Sequence, residues 1–80
     1  MAYPLLHQDI SQVHTHLVRH GYRCTFNSPE RKVYDTPQVR RRKVELILDI
    51  MSGRVQEAQT RTHDNTKSRA LPKLKKIREI

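Results

Sequence analysis

The chain has no tryptophan, one phenylalanine and three tyrosines in its 80 residues. Proteins that hold single-stranded nucleic acid stack bases on exposed aromatic rings. Only Tyr3, Tyr22, Phe26 and Tyr34 could serve here, and Phe26 is expected in the core, so that mode is poorly supplied. Cys24 is the sole cysteine, which excludes an intrachain disulfide and fits a reducing compartment. Two glycines leave no glycine-rich loop to cradle a phosphate. No apolar run approaches the roughly 18 residues of a membrane span, and the opening MAYPLLHQDIS lacks the charged and apolar regions of a secretory leader. A soluble intracellular protein, cytoplasmic or nucleoid/nuclear, is expected.

Acidic residues are also scarce: eight Asp and Glu face 16 Lys and Arg, for a net charge of +8. That imbalance calls for an anionic partner and says nothing of fold. Hydrophobic residues make up 35% of the chain. A domain this small buries only about 60% of the surface its unfolded chain exposes. Self-association or a partner is therefore expected.

Hydrophobic spacing predicts a mainly α fold with two principal helices. Leu6, Ile10, Val13 and Leu17 fall on one stripe of a helix over about 5–20, with Pro4 near its start and Gly21 as its left-handed cap. A second helix is expected over about 37–60, capped by Asp35 or Thr36 with Pro37 in its first turn. Val44, Ile47, Leu48, Met51, Val55 and Ala58 share one face of it, with a weak point at Ser52-Gly53, while Leu46 and Ile50 point nearly the other way. A helix apolar on two sides belongs between neighbours, and this chain supplies few, so a homodimer with Leu46, Ile50 and Met51 in the interface is the expectation. Between the helices, residues 22–35 read as a short β-hairpin around Asn27-Ser28-Pro29-Glu30 or as an ordered loop. The domain is expected over 1–62. Residues 63–80 form a basic tail, flexible or ordered as a short helix by a partner, since Leu71, Leu74, Ile77 and Ile80 recur at near-helical spacing.

Two basic clusters are the candidate binding residues. Arg19, Arg23, Arg31, Lys32, Arg40, Arg41, Arg42 and Lys43 lie at the ends and connections of the expected elements, and Lys73, Lys75 and Lys76 lie in the tail. Arginine dominates the first group, and its planar fork matches phosphate well. The run from Arg40 to Lys43 would load the positive end of a helix dipole, an unfavourable placement unless an anion is waiting. Helix two is too apolar for reading the major groove, so backbone contact with duplex RNA or DNA is the expected mode.

Other chemistry is thinner. His16, His20 and Cys24, spaced by four, offer an alternative zinc set if His7 or His63 completes it, but Gly21 ends the helix before Cys24 and no CxxC or HExxH pattern occurs. Glu45 and Asp49 are expected to offset Arg41 and Arg42, and Cys24 to pack as a small apolar group. No enzyme, cofactor or metal is expected. In composition the chain resembles small phage- or virus-encoded accessory proteins, a likeness that covers no particular residue. The function these features support is a small accessory protein gripping the phosphate backbone of a duplex. The alternative is an inhibitor or adaptor docking its second helix and basic tail on an acidic protein partner.

Overall fold

The computed structural model describes residues 2–37, 42–64 and 72–80; the side chains of Arg42 and Asp64, and the expected contacts of Arg40 and Arg41, lie outside the described residues. One helix, α1 (Ile10–Arg19), is followed by five strands: β1 (Arg23–Asn27), β2 (Arg31–Asp35), β3 (Arg42–Met51), β4 (Arg54–Asp64) and β5 (Lys73–Ile77). The strands pair in chain order as one antiparallel meander, β1-β2-β3-β4-β5. The fold is a sheet with one helix on it, which overturns the expected mainly α architecture.

The second helix is replaced by the long hairpin β3–β4. Ser52 and Gly53 both have positive φ, +53° and +76°, and Met51 pairs with Arg54 across them. That is a two-residue turn of the I′ kind, whose twist matches paired strands. Read with a period of two, Val44, Leu46, Leu48 and Ile50 turn to one face, and the β-branched Val44, Ile47, Ile50, Val55, Thr60 and Thr62 suit a pleated surface. Apolarity on two sides is the mark of a central strand: Leu46 and Leu48 are buried on one face, and Ile47 is buried on the other. The ground for a helical homodimer therefore disappears. With β3 starting at Arg42 there is also no helix dipole for Arg42 and Lys43 to oppose.

The first helix is shorter than the expected 5–20. Asp9 caps it, its carboxylate accepting from the Ser11 N–H at 2.8 Å. Residues before the cap follow the sheet with a turn at Leu6-His7, where His7 has φ +66°: Tyr3 and Leu5 bond to Ile80 and Arg78, and His7, Gln8 and Ile10 bond to Val55 and Gly53. Gly21, at φ +89°, ends the helix as expected of a left-handed cap. Residues 22–35 form a hairpin, β1–β2, closed by the Ser28 N–H donating to the Arg31 carbonyl. The tail contains a strand in place of the expected helix, because β5 pairs with β4 from Ala58–Ile77 to Thr62–Lys73.

Val13 and Leu17 of α1 meet Leu5, Tyr34, Leu46, Leu48, Val55 and Ala58 in one core. Each fully buried Leu or Val of this kind contributes about 1.5–3 kcal/mol. Among the described residues no helix or strand packs over the opposite face of the sheet, termed here the open face. The helix runs from the turns at 28–30 and 52–53, the hairpin end, to the other end of the sheet, where β2 leads into β3 and β4 into β5, the connection end. No helix of the described residues is long and apolar enough to cross a membrane.

Candidate nucleic-acid interface

Register sorts the charges. At the connection end, α1 finishes with exposed Arg19, β1 starts with Arg23, β3 starts with Arg42 and Lys43, and β5 starts with Lys73. Arg40, Arg41, Lys67 and Arg69, in the sequence that joins the strands, lie outside the described residues. Among the described residues five Lys and Arg thus meet two acids, Asp35 and Asp64, a balance of +3. Toward the hairpin end, Arg31, Lys32, Arg54, Lys76 and Arg78 are matched by Asp9, Glu30, Asp49, Glu57 and Glu79. Lys75 and the Glu45–Arg61 pair lie between. The excess positive charge of the described residues therefore lies mostly at one end of the sheet.

The predicted contact residues divide accordingly. Arg19, Lys43 and Lys73 are exposed at the basic end, and Lys75 is exposed on β5. Arg23 is also there, but its guanidinium holds Asp35 at 3.2 Å. Arg31 is at the other end, bound to Asp49 at 2.8 Å. Lys32 is half-buried and donates to the Asn27 side chain. Lys76 holds Glu57 at 2.8 Å, which raises its own pKa. Among the described residues the first expected cluster is divided, Arg19, Arg23 and Lys43 lying at the connection end and Arg31 and Lys32 toward the hairpin end; the rest of the open face is ion-paired.

The expected interface residues separate too. Leu46 is buried in the core of the one chain, Ile50 is half-buried, and Met51 stands exposed at the hairpin turn. The alternative metal set is not assembled. His16 and His20 lie together, ring centroids 4.3 Å apart, with Tyr3 stacked on His16. Cys24 is on β1, its thiol donating to the Phe26 carbonyl, while His63 is on β4. Partial burial, His20 and Arg19 lower the pKa of His16.

The open face carries two features the sequence reading missed. Phe26, expected in the core, is 53% exposed. Beside it, Glu45 is buried to 9% exposure and its Oε1 accepts from the Arg61 Nε at 2.9 Å and the His63 Nε2 at 2.8 Å. Burial alone would raise the Glu45 pKa, but the His63 and Arg61 hydrogen bonds and the charges of Arg61 and Lys43 outweigh it and hold the carboxyl below its ordinary value. The signal was present as spacing: Glu45 pairs with Arg61, and Lys43 with His63, only when 42–64 is folded back as a hairpin. No protein-family model, curated protein or solved structure matches the chain.

Proposed function

We propose that the protein binds nucleic acid by its phosphate backbone, using the connection end of its sheet. The observation that supports this is the charge segregation among the described residues: a balance of +3 at one end against none toward the other, with four more Lys and Arg in the sequence that joins the strands. A chain needing charge only for solubility has no reason to place it so. The exposed Lys43 and Lys73 stand at this end on β3 and β5, two strands apart and on opposite faces of the sheet. Neighbouring strands lie about 4.8 Å apart, so this end presents cations over roughly 10 Å and can meet phosphates of one duplex backbone. It reads no base, and a duplex serves as well as any sequence.

Five phosphate contacts would give a log–log salt slope near −4.5, and an affinity loss of about 500-fold between 50 and 200 mM salt. The test is a salt-titrated binding assay on 20-base-pair duplexes of two unrelated sequences, as RNA and as DNA. Replacing Arg40, Arg41 and Arg42 together by Ala weakens both sequences alike and flattens the slope by about 0.9 per lost DNA contact. Lys76→Gln with Arg78→Gln, at the neutral end, leaves the slope unchanged. Equal effects from the two variants, or no duplex binding at low salt, refutes the proposal.

A further inference from the structure

On the open face a shallow groove of about 320 Å³ is floored by Val33 and Ile47 and bounded by Phe26, Arg31, Arg61 and Glu45. Its volume is at the lower bound of ligand clefts, about 300–1,000 Å³. Val33 and Ile47 are 9% and 5% exposed, so the floor is packed and rigid, whereas the Phe26 ring stands beside it half in solvent. The ring is there because of a backbone irregularity. In a regular strand Cys24 and Phe26 would share a face, and Cys24, opposite Tyr34, packs against the core. A β-bulge between Cys24 and Phe26 shifts the register and sets Phe26 opposite Val33, on the open face. Bulges that re-aim one side chain occur where a site needs it. Here the bulge takes the one phenylalanine of the chain out of the hydrophobic interior.

We infer that this groove takes one unpaired nucleobase, stacked on Phe26, from a nucleic acid whose phosphates the basic end grips. The inference rests on the proposed function and narrows its ligand to nucleic acid with unpaired nucleotides. Three observations choose a base over an apolar side chain. The walls are guanidinium groups, Arg31 pinned by Asp49 and Arg61 pinned by Glu45, and planar guanidinium stacks on bases. Their charges are compensated by those carboxylates, which suits a neutral base better than a phosphate. The groove is also continuous with the basic end: Ile47 and Lys43 lie on the same face of β3, four residues or about 13 Å apart, a span of a few nucleotides.

The chain has no tryptophan, so Phe26→Trp places a single indole fluorophore in the groove. Twelve-nucleotide oligo-dT and oligo-U are titrated into this variant beside a blunt 12-base-pair duplex and an abasic strand of equal length. Base stacking quenches the indole emission with either oligonucleotide and not with the duplex or the abasic strand. In the Phe26→Ala variant, affinity for the oligonucleotides falls about five- to a hundred-fold, the range for one stacked base, while duplex affinity is unchanged; Phe26→Tyr retains most of it. Quenching by the abasic strand, equal loss for duplex and single strand in Phe26→Ala, or emission that changes with protein concentration alone, as a second copy in the groove would cause, each overturns the inference. If duplex binding persists without these effects, the inference falls and the phosphate grip stands; if no nucleic acid binds, both fall.

Discussion

Replacing Gly53 by Ala tests the hairpin directly, because the two architectures give opposite signs. In the structure Gly53 has φ +76° at the second position of the β3–β4 turn, and a Cβ built there meets nothing within 4 Å. The cost is thus purely that of the left-handed backbone for a residue with a Cβ, about 1–2 kcal/mol. For a domain of this size each kcal/mol lowers Tm by about 4–8 °C. Were residues 37–60 a helix, Gly53 would be an interior glycine and the same change would stabilise it by about 0.8–1.0 kcal/mol. A companion, Ser52→Asn, gives the Asn-Gly pair that turns of this type favour and raises stability, since Ser52 sits at φ +53°. Urea unfolding followed by far-ultraviolet circular dichroism measures both. A Gly53→Ala protein more stable than the wild type would refute the turn and with it the sheet register from Arg42 to Asp64.

Two further expectations follow from burial and titration. Leu46→Ala opens a cavity in a core where that side chain is 1% exposed and costs about 2–5 kcal/mol, a large part of the roughly 4–12 kcal/mol expected of 80 residues. Met51→Ala, at a side chain 62% exposed, stays within about 0.5 kcal/mol, and comparable losses in a urea titration would return both to a shared interface. Acid should weaken the fold in two stages. The folded pKa values of His16 and Glu45 both lie below the ordinary 6.5 and 4.5, so the unfolded chain binds those protons first. Stability falls as pH drops below 6.5, and again below 4.5; urea midpoints across about pH 3–7.5 should show the second decline reduced in Glu45→Gln, and an unchanged profile would remove the Arg61–His63 cluster as its cause.

The sequence and the structure diverge most at VELILDIM, and the reason is physical. Six of those eight residues are apolar, so a stripe of period 3.6 and an alternation of period two both find enough hydrophobic positions. What separates them is composition and the turn. β-branched residues on either side of Ser52-Gly53 favour strands, and that pair reads as a hairpin turn once both halves are strands. The hairpin at 22–35 was one of two readings, suggested by Asn-Ser-Pro-Glu between two short alternating runs, and spacing alone did not separate it from an ordered loop. The α1 stripe was legible, but not its start: Leu5 lies in the extended segment beside β4 and β5, and its burial there depends on strands distant in sequence. Spacing alone could not place Phe26, since a bulge reverses the face that alternation assigns to it.

The basic residues were legible as a list and not as a surface, because their number is local and their pairing is not. All four acids of the open face, Asp35, Glu45, Asp49 and Glu57, lie against a cation: Arg23, Arg61, Arg31 and Lys76. The three pairs outside the buried Glu45 are exposed on the cation side and add at most about 1 kcal/mol each, so stability does not account for their completeness. Their larger effect is on the field. A phosphodiester chain approaching the bare carboxylates would be repelled along the length of the sheet, whereas four compensated carboxylates leave the face close to neutral and the excess charge of the connection end unopposed. Four cations are used in this way, three of them from the predicted contact set. Among the described residues the grip proposed here then falls to Arg19, Lys43 and Lys73, and on that proposal the paired cations would leave the open face approachable by a base while the basic end held the backbone.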